Sequence, residues 1–414
     1  MKTGYFIDNI LKNIFIILFL LLPFYIQAQA EVRKDTSEIR KDTSEERDLI
    51  DIAKATFNYK TKQIRQRGTR KIYFSFLPLT SNVPGGGKAL ITATTAGFYL
   101  GERYNTSLSS VTFSPDITFN GRIGLPLRSN IWLKENKFNI LGDTRFLVYP
   151  QFTWGLGGNS NNTTRVLVNY KYIRFYQSVL KKVMPFIYAG IGYAMDYHIN
   201  IKTIDDTVGL QKFTGYNAGT AIGQNSFSSG ILLNLLYDSR VNTINPASGC
   251  YTAIVFRTNQ QFLGSNTDWN SLNVDWRKYL AFRKDRQDVL ALWAYYWTVL
   301  NKNVPYLDLP SIGLDSYQRS GRGFDQNRYR GEGLIDLEAE YRRDITANGL
   351  FGFVVFANIN SVTELDKYQF AYWHPAAGLG LRIKFNKLSG TNVAIDYAAS
   401  KGFSCFYVNL GEVF

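Results

Sequence analysis

The sequence predicts an all-β protein, a transmembrane antiparallel β-barrel of about sixteen strands, and three observations point there. Aromatic residues make up 15% of the 414 positions and charged residues only 19%, below the ~25% charge of ordinary soluble proteins. Long stretches after residue 70 alternate apolar with charged or small side chains, which places one set on each face of a strand. A leader of export type opens the chain. Mean hydropathy is −0.17, which excludes a bundle of membrane helices.

In the leader, Lys2 and Lys12 precede the apolar run Ile14–Leu22, and Pro23 and Ala28-Gln29-Ala30 follow. The run is too short for a spanning helix, which needs ~20 residues. A basic start, short apolar core and A-x-A end read as a cleaved signal peptide over residues 1–30. Residues 31–70 form a charged periplasmic tail. In it Arg33-Lys34-Asp35-Thr36-Ser37-Glu38 recurs as Arg40-Lys41-Asp42-Thr43-Ser44-Glu45. The repeat has no apolar seam and reads as solvated; Leu49 to Phe57 could form one short amphipathic helix.

The barrel occupies 71–414. Candidate strands fall at about 71–78, 89–100, 107–118, 122–133, 138–150, 165–178, 185–199, 226–238, 249–258, 270–282, 288–299, 333–343, 350–361, 376–386, 391–399 and 403–414. Alternation is clearest in three of them. Ile335, Leu337, Ala339 and Tyr341 interleave with Asp336, Glu338, Glu340 and Arg342; Leu379, Leu381, Ile383 and Phe385 with Arg382 and its neighbours; Ile187 to Met195 with small residues. A soluble sandwich would bury such apolar faces against each other. In a membrane barrel they meet lipid, the polar faces meet a wet lumen, and ring closure leaves no free edge. Ala347-Asn348-Gly349 and Leu388-Ser389-Gly390 mark tight turns, and Pro84-Gly85-Gly86-Gly87-Lys88 reads as a hairpin turn. The longest late interruption is 300–332, and a loop of that length is functional or disordered. Trp293, Tyr295, Tyr296 and Trp297 suit interfacial aromatic belts.

The chemistry of catalysis is absent from the pattern. Two His and two Cys give no metal site and no disulfide scaffold, and no G-x-S-x-G, H-E-x-x-H or EF-hand spacing occurs. The expectation is a protein that is not an enzyme and needs no cofactor or metal. The net charge of +14 is scattered among aromatics behind an export leader. It suits anionic headgroups or acidic partners rather than nucleic acid.

The 300–332 loop ends Gly321-Arg322-Gly323-Phe324, and the following strand runs Leu334 to Arg342 with a Glu340-Tyr341-Arg342 ending. The sequence closes Val408-Asn409-Leu410-Gly411-Glu412-Val413-Phe414. These motifs resemble the BamA/TamA-type outer-membrane barrels, the bacterial surface antigen family. The resemblance is sharpest over 320–414 and extends, with Phe74-Ser75-Phe76-Leu77-Pro78, to 71–414. It implies sixteen strands with the sixth outer loop folded into the lumen. Arg322, flanked by Gly321, Gly323 and Phe324, would meet the inner wall at Glu340, whose parity places it on the charged face with Asp336, Glu338 and Arg342. Arg382 and Asp396 would add to the inner-wall charge. The family's Phe-x-Asp-x-Gly pattern on the next strand reads Phe356-Ala357-Asn358-Ile359-Asn360, so Asn358 stands where the family has Asp. Gly321 stands where it prefers an aliphatic.

Val408, Leu410, Gly411 and Phe414 would be the C-terminal assembly signal. The implied activity is inserting proteins into the bacterial outer membrane, or translocating them, through a lateral seam between first and last strands. Outer-membrane lipid and lipopolysaccharide, client outer-membrane proteins and periplasmic or lipoprotein partners are the expected contacts. Partners would stand in for the family's periplasmic repeat domains, for which residues 31–70 are too few. The alternative is a passive diffusion channel, transporter or lipid-handling barrel, which a lumen free of the sixth loop would favour.

Overall fold

The computed structural model describes residues 46–56, 72–83, 87–102, 104–118, 121–161, 163–204, 209–283, 287–316, 318–365, 367–387 and 389–414, the backbone alone over 73–93. The expected signal peptide, the charged repeat and the tip of the 84–86 turn lie outside the described residues. A short helix, α1 (Leu49–Thr56), is followed by β1 (Tyr73–Val83), β2 (Gly87–Phe98), β3 (Ser109–Phe113), β4 (Asp116–Thr118), β5 (Ile123–Trp132) and β6 (Phe138–Val148). Next come β7 (Gln151–Thr153), β8 (Val166–Met184), β9 (Ile187–Ile204), β10 (Ser226–Asp238), β11 (Gly249–Asn259), β12 (Trp269–Ala281) and β13 (Asp288–Val299). The series ends with β14 (Gly333–Asp344), β15 (Phe351–Val362), β16 (His374–Asn386), β17 (Thr391–Ser400) and β18 (Phe403–Leu410). A single helical turn, α2 (Leu210–Thr214), sits between β9 and β10.

The 18 segments of this sheet make sixteen strands. β3 and β4 share the same two neighbours, β2 and β5, and β7 continues β6 along β8. Each strand pairs antiparallel with the strands before and after it in the chain, from β1–β2 to β17–β18. The meander curls until β1 and β18 lie side by side, Cα atoms within 8 Å. Among the described residues no ladder joins these two strands.

Period two decides which face is which. Ile191, Leu233, Leu379 and Phe406 stand exposed on the outside, at 66%, 51%, 63% and 57%. On the same strands as Ile191 and Leu379, Asp196 and Arg382 have the opposite parity and are buried inside. Such a wall is stable only where the outer face meets lipid. Long connections, including 154–165, 205–225 and 300–332, cluster at one end. Short ones, such as 185–186, 345–350 and 387–390, lie at the other. In two of the short turns Gly349 and Gly390 have φ of +65° and +74°, a backbone state that favours glycine.

The short-turn end carries α1. Asp48 caps it by accepting the Asp51 N–H at 2.7 Å, satisfying an otherwise orphaned donor. Its second oxygen accepts the Lys387 N–H at 2.9 Å. The Lys387 ammonium lies 2.8 Å from Asp51, and the Arg47 N–H donates to the Asn348 carbonyl at 3.1 Å. The helix is thus tied to two neighbouring turns. Partial burial pushes the Asp51 carboxyl up, and Lys387 pulls it further down, so it rests below the usual carboxylate value.

The core lies inside the cylinder. One cluster joins Tyr149, Tyr170 and Trp269 to Tyr306 and Leu309 of the 300–332 loop. A second joins Tyr279, Trp293 and Tyr295 to Ile312, Phe324 and Tyr329 of the same loop. This corrects the aromatic-belt expectation for Trp293, Tyr295 and Trp297, whereas Tyr296, of opposite parity, is half-buried. Trp293 and Tyr295 are 2% and 5% exposed, and Trp297 packs against the second cluster. The folded-in loop gives these rings an apolar partner inside the barrel, so an aromatic there need not seek the membrane interface.

Candidate functional site

The 300–332 loop is a folded tongue. A turn of 3-10 helix (Tyr306–Asp308) leads to a narrow hairpin in which Ile312 N–H donates to the Tyr329 carbonyl and Asn327 N–H to the Ile312 carbonyl, both at 3.0 Å. Arg330 is fully buried. Its guanidinium donates to the carbonyls of Tyr306 at 2.8 Å and Leu309 at 3.1 Å and to Asn327 Oδ1 at 2.7 Å.

Arg322 sits at the tongue's inner end, 3% exposed. Both flanking glycines are required by the backbone. Gly321 has φ +70° and Gly323 φ +95°. A Cβ at 321 would lie 2.3 Å from Ile312 Cγ1, and one at 323 would lie 2.9 Å from the Ala376 Cβ. Ile312 fills the space that a side chain at 321 would need.

The guanidinium reaches three carboxylates. Nη2 donates to Glu338 and, at 2.5 Å, to Glu340 Oε2; Nη1 donates to Asp396 Oδ2 at 2.9 Å. The Phe356 ring covers its face, centroid 3.5 Å away. Arginine suits this place because its planar fork presents several fixed donors at once. Asp336 accepts the Gly321 N–H at 3.0 Å. Asn358 donates through Nδ2 to the Arg322 carbonyl at 2.8 Å, a bond that an aspartate could not make. Glu338 is the cross-strand partner of Asn358, so it places a carboxylate beside that amide across the β14–β15 ladder. Phe324 packs edge-on against Tyr329, centroids 5.7 Å apart.

The cluster continues beyond the loop. Arg382 donates to Asp396 Oδ1 at 2.5 Å and to Glu412 Oε2 at 2.8 Å. Arg342 Nε donates to Glu340 Oε1 at 2.6 Å and lies 3.8 Å from Glu412. Opposite, the tongue meets the far wall: Asp308 accepts from Ser228 Oγ at 2.6 Å, Arg145 donates to the Ser316 carbonyl at 2.5 Å, and Tyr149 donates to Gln326 at 2.5 Å. The tongue therefore bridges the lumen from β14 and β17 to β6 and β10. A cavity of about 240 Å³ remains beside it, bordered by Arg128, Asp143, Arg257 and Arg277.

The end of the sequence departs from expectation. The strand predicted for 403–414 stops at Leu410. Val408 and Leu410 are half-buried wall residues. Gly411, with φ +96°, turns the chain inward, and residues 411–414 are all buried. Phe414 is 4% exposed, against Trp293 at 5.2 Å between centroids. Alternation explains the turn. Leu410, Glu412 and Phe414 share one parity, and a straight strand would have driven the Glu412 carboxylate outward beside Leu410. Turning in at 411 brings it to Arg382. Residue-by-residue reading missed Glu412, although a charge with outward parity was the available signal.

No family model matches the sequence, and no curated protein matches it. Solved structures do. BamA from Haemophilus ducreyi lacking POTRA domains 1–3 aligns at TM-score 0.50 and 14% identity, covering 83% of this chain and 70% of that one. CdiB from Acinetobacter baumannii aligns at TM-score 0.53 and 12% identity over 83% of this chain and 66% of that one. CdiB from Escherichia coli aligns at 0.50 and 11%, over 84% and 67%. The chain spans about two thirds of the length of these structures. At such identity the likeness is one of architecture: the chain has the fold of the BamA and CdiB barrels, which is the fold its loop and strand motifs implied.

Proposed function

We propose that this barrel resides in the bacterial outer membrane and, without catalysis, assists the insertion or translocation of outer-membrane proteins through a seam between β1 and β18. The observation that carries the reading is the tongue hooked across the lumen by Arg322. A pore for passive diffusion is favoured by an open bore, and here the tongue crosses the bore from wall to wall. The first and last strands, β1 and β18, meet side by side, which is where this reading places the seam, and a strand edge exposed there would template an incoming strand. Lipid, lipopolysaccharide and unfolded client barrels are the partners this reading requires. Periplasmic or lipoprotein partners would deliver the clients.

The test is reconstitution in lipid vesicles. The barrel should accelerate the folding of an added, urea-unfolded outer-membrane barrel, and planar-bilayer recordings should show little steady conductance. Large, constant conductance with no acceleration would replace this reading with the diffusion channel.

A further inference from the structure

We propose that residues 411–414 are a latch on the end of β18, and that the tongue controls this latch through Arg319 and the pair Arg382–Glu412. The inference rests on the seam reading above, since it concerns how the seam's edge is held.

β18 is the strand most in need of a hold. It has eight residues, a ladder with β17, and on its other side only β1, across the contact taken as the seam. Its hydrogen bonding to β17 ends with the Gly411 N–H on the Asn392 carbonyl at 2.7 Å. Past that point the chain is held from within by four sets of contacts. Glu412 accepts from Arg382 and, through its other oxygen, from Asn392 Nδ2 at 2.7 Å. Arg319 of the tongue donates to the carbonyls of Glu412 and, at 3.0 Å, Val413. Arg342 donates to the Phe414 carbonyl at 2.8 Å. The Phe414 ring lies on Trp293 and Tyr279.

Two of these holds lead back to the tongue. Arg319 belongs to it outright. Arg382 divides its donors between Asp396 and Glu412, and Asp396 is also a partner of Arg322. Withdrawing Arg322 leaves Asp396 short of a cation, so Arg382 has reason to swing fully to Asp396 and abandon Glu412. Arg382 is then the element with two arrangements that a coupling between sites demands. A tongue in place fastens the end of β18, and a displaced tongue frees it.

Amide hydrogen exchange on the full chain in lipid nanodiscs tests this, with peptides covering 403–414 read against a β10 peptide as reference. Glu412→Gln should raise β18 exchange about tenfold, the scale of losing one charge-assisted bond, and leave β10 unchanged. Arg319→Ala, which leaves the carboxylate cluster intact, should do the same, and serves if the cluster variant folds poorly. Arg322→Ala should reproduce the effect at a distance, and the Arg322→Ala/Glu412→Gln double variant should add little to either single change. Wild-type β18 protection in both Glu412→Gln and Arg319→Ala would overturn the latch. Fully multiplicative effects of Arg322→Ala and Glu412→Gln would overturn its control by the tongue. None of these readouts needs client insertion. A barrel that inserts nothing yet shows the exchange pattern loses the seam reading and keeps the latch.

Discussion

At position 322 one guanidinium faces three carboxylates, and its neighbourhood is short of cations. Arg322, Arg342 and Arg382 stand against Glu338, Glu340, Asp396 and Glu412. Removing one partner from a buried ionic cluster costs about 3–5 kcal/mol, because the orphaned charges stay buried. Arg322→Ala should therefore leave export intact and lower the urea midpoint of the folded, heat-modifiable barrel; Arg322→Lys, with a point charge in place of a fork, should recover only part. An unchanged midpoint for Arg322→Ala would remove the hook. Moving a carboxylate across the β14–β15 ladder gives a second check. Asn358→Asp alone adds charge and loses a donor, so it should destabilise. Combined with Glu338→Gln it should be milder than the sum of the two single changes. Of this cluster, Arg322 and Glu340 were legible from motif and strand parity. That Asp396, 74 positions away, completes the same contact was not, because parity assigns a residue to the lumen without saying where around the ring it stands.

Among the elements, alternation located the strands well: β10 and β13 fall where the sequence puts them. It failed where its physical basis lapses. β13 is apolar on both faces because the tongue provides apolar company inside, so its aromatics carried no sign of direction. β8 and β9, of 19 and 18 residues, run past their predicted ends because strands can extend beyond the membrane belt. On the lipid face, Leu379→Arg should cost about 2–4 kcal/mol, as for charges near a bilayer midplane. A polar change at the lumenal, cavity-lining Asn273 should cost much less. Denaturant titration of the barrel in vesicles compares the two. For α1, a carboxyl held below its ordinary value stabilises above the unfolded-state pKa, and that contribution is lost as pH falls through the lower folded-state value. The tie from Asp51 to Lys387 should thus hold at neutral pH and weaken in acid. Amide exchange at Asp51–Thr56 should rise on acidification, after correction for the intrinsic pH dependence, and Lys387→Gln should remove that rise.

For the whole molecule, the decisive property is that a sixteen-stranded wall encloses an interior crossed by its own loop. The composition predicted a barrel, and the loop motif predicted its occupant. Neither announced how thoroughly aromatic rings on both sides would pack the space between. Excising the tongue between 310 and 330 should raise single-channel conductance several-fold in planar bilayers if the truncated barrel folds. Equal conductance with and without it would show that the bore is closed elsewhere.

Arg330 gives the tongue a skeleton of its own. Its three acceptors all belong to the tongue, so this bracing does not depend on the surrounding wall. Ordering a free segment costs about 1–2 kcal/mol for each residue, and internal bracing spares the tongue that cost wherever it sits. A body stiffened from inside keeps its shape without the wall, so displacing it would surrender its bonds to the wall and leave its own bracing whole.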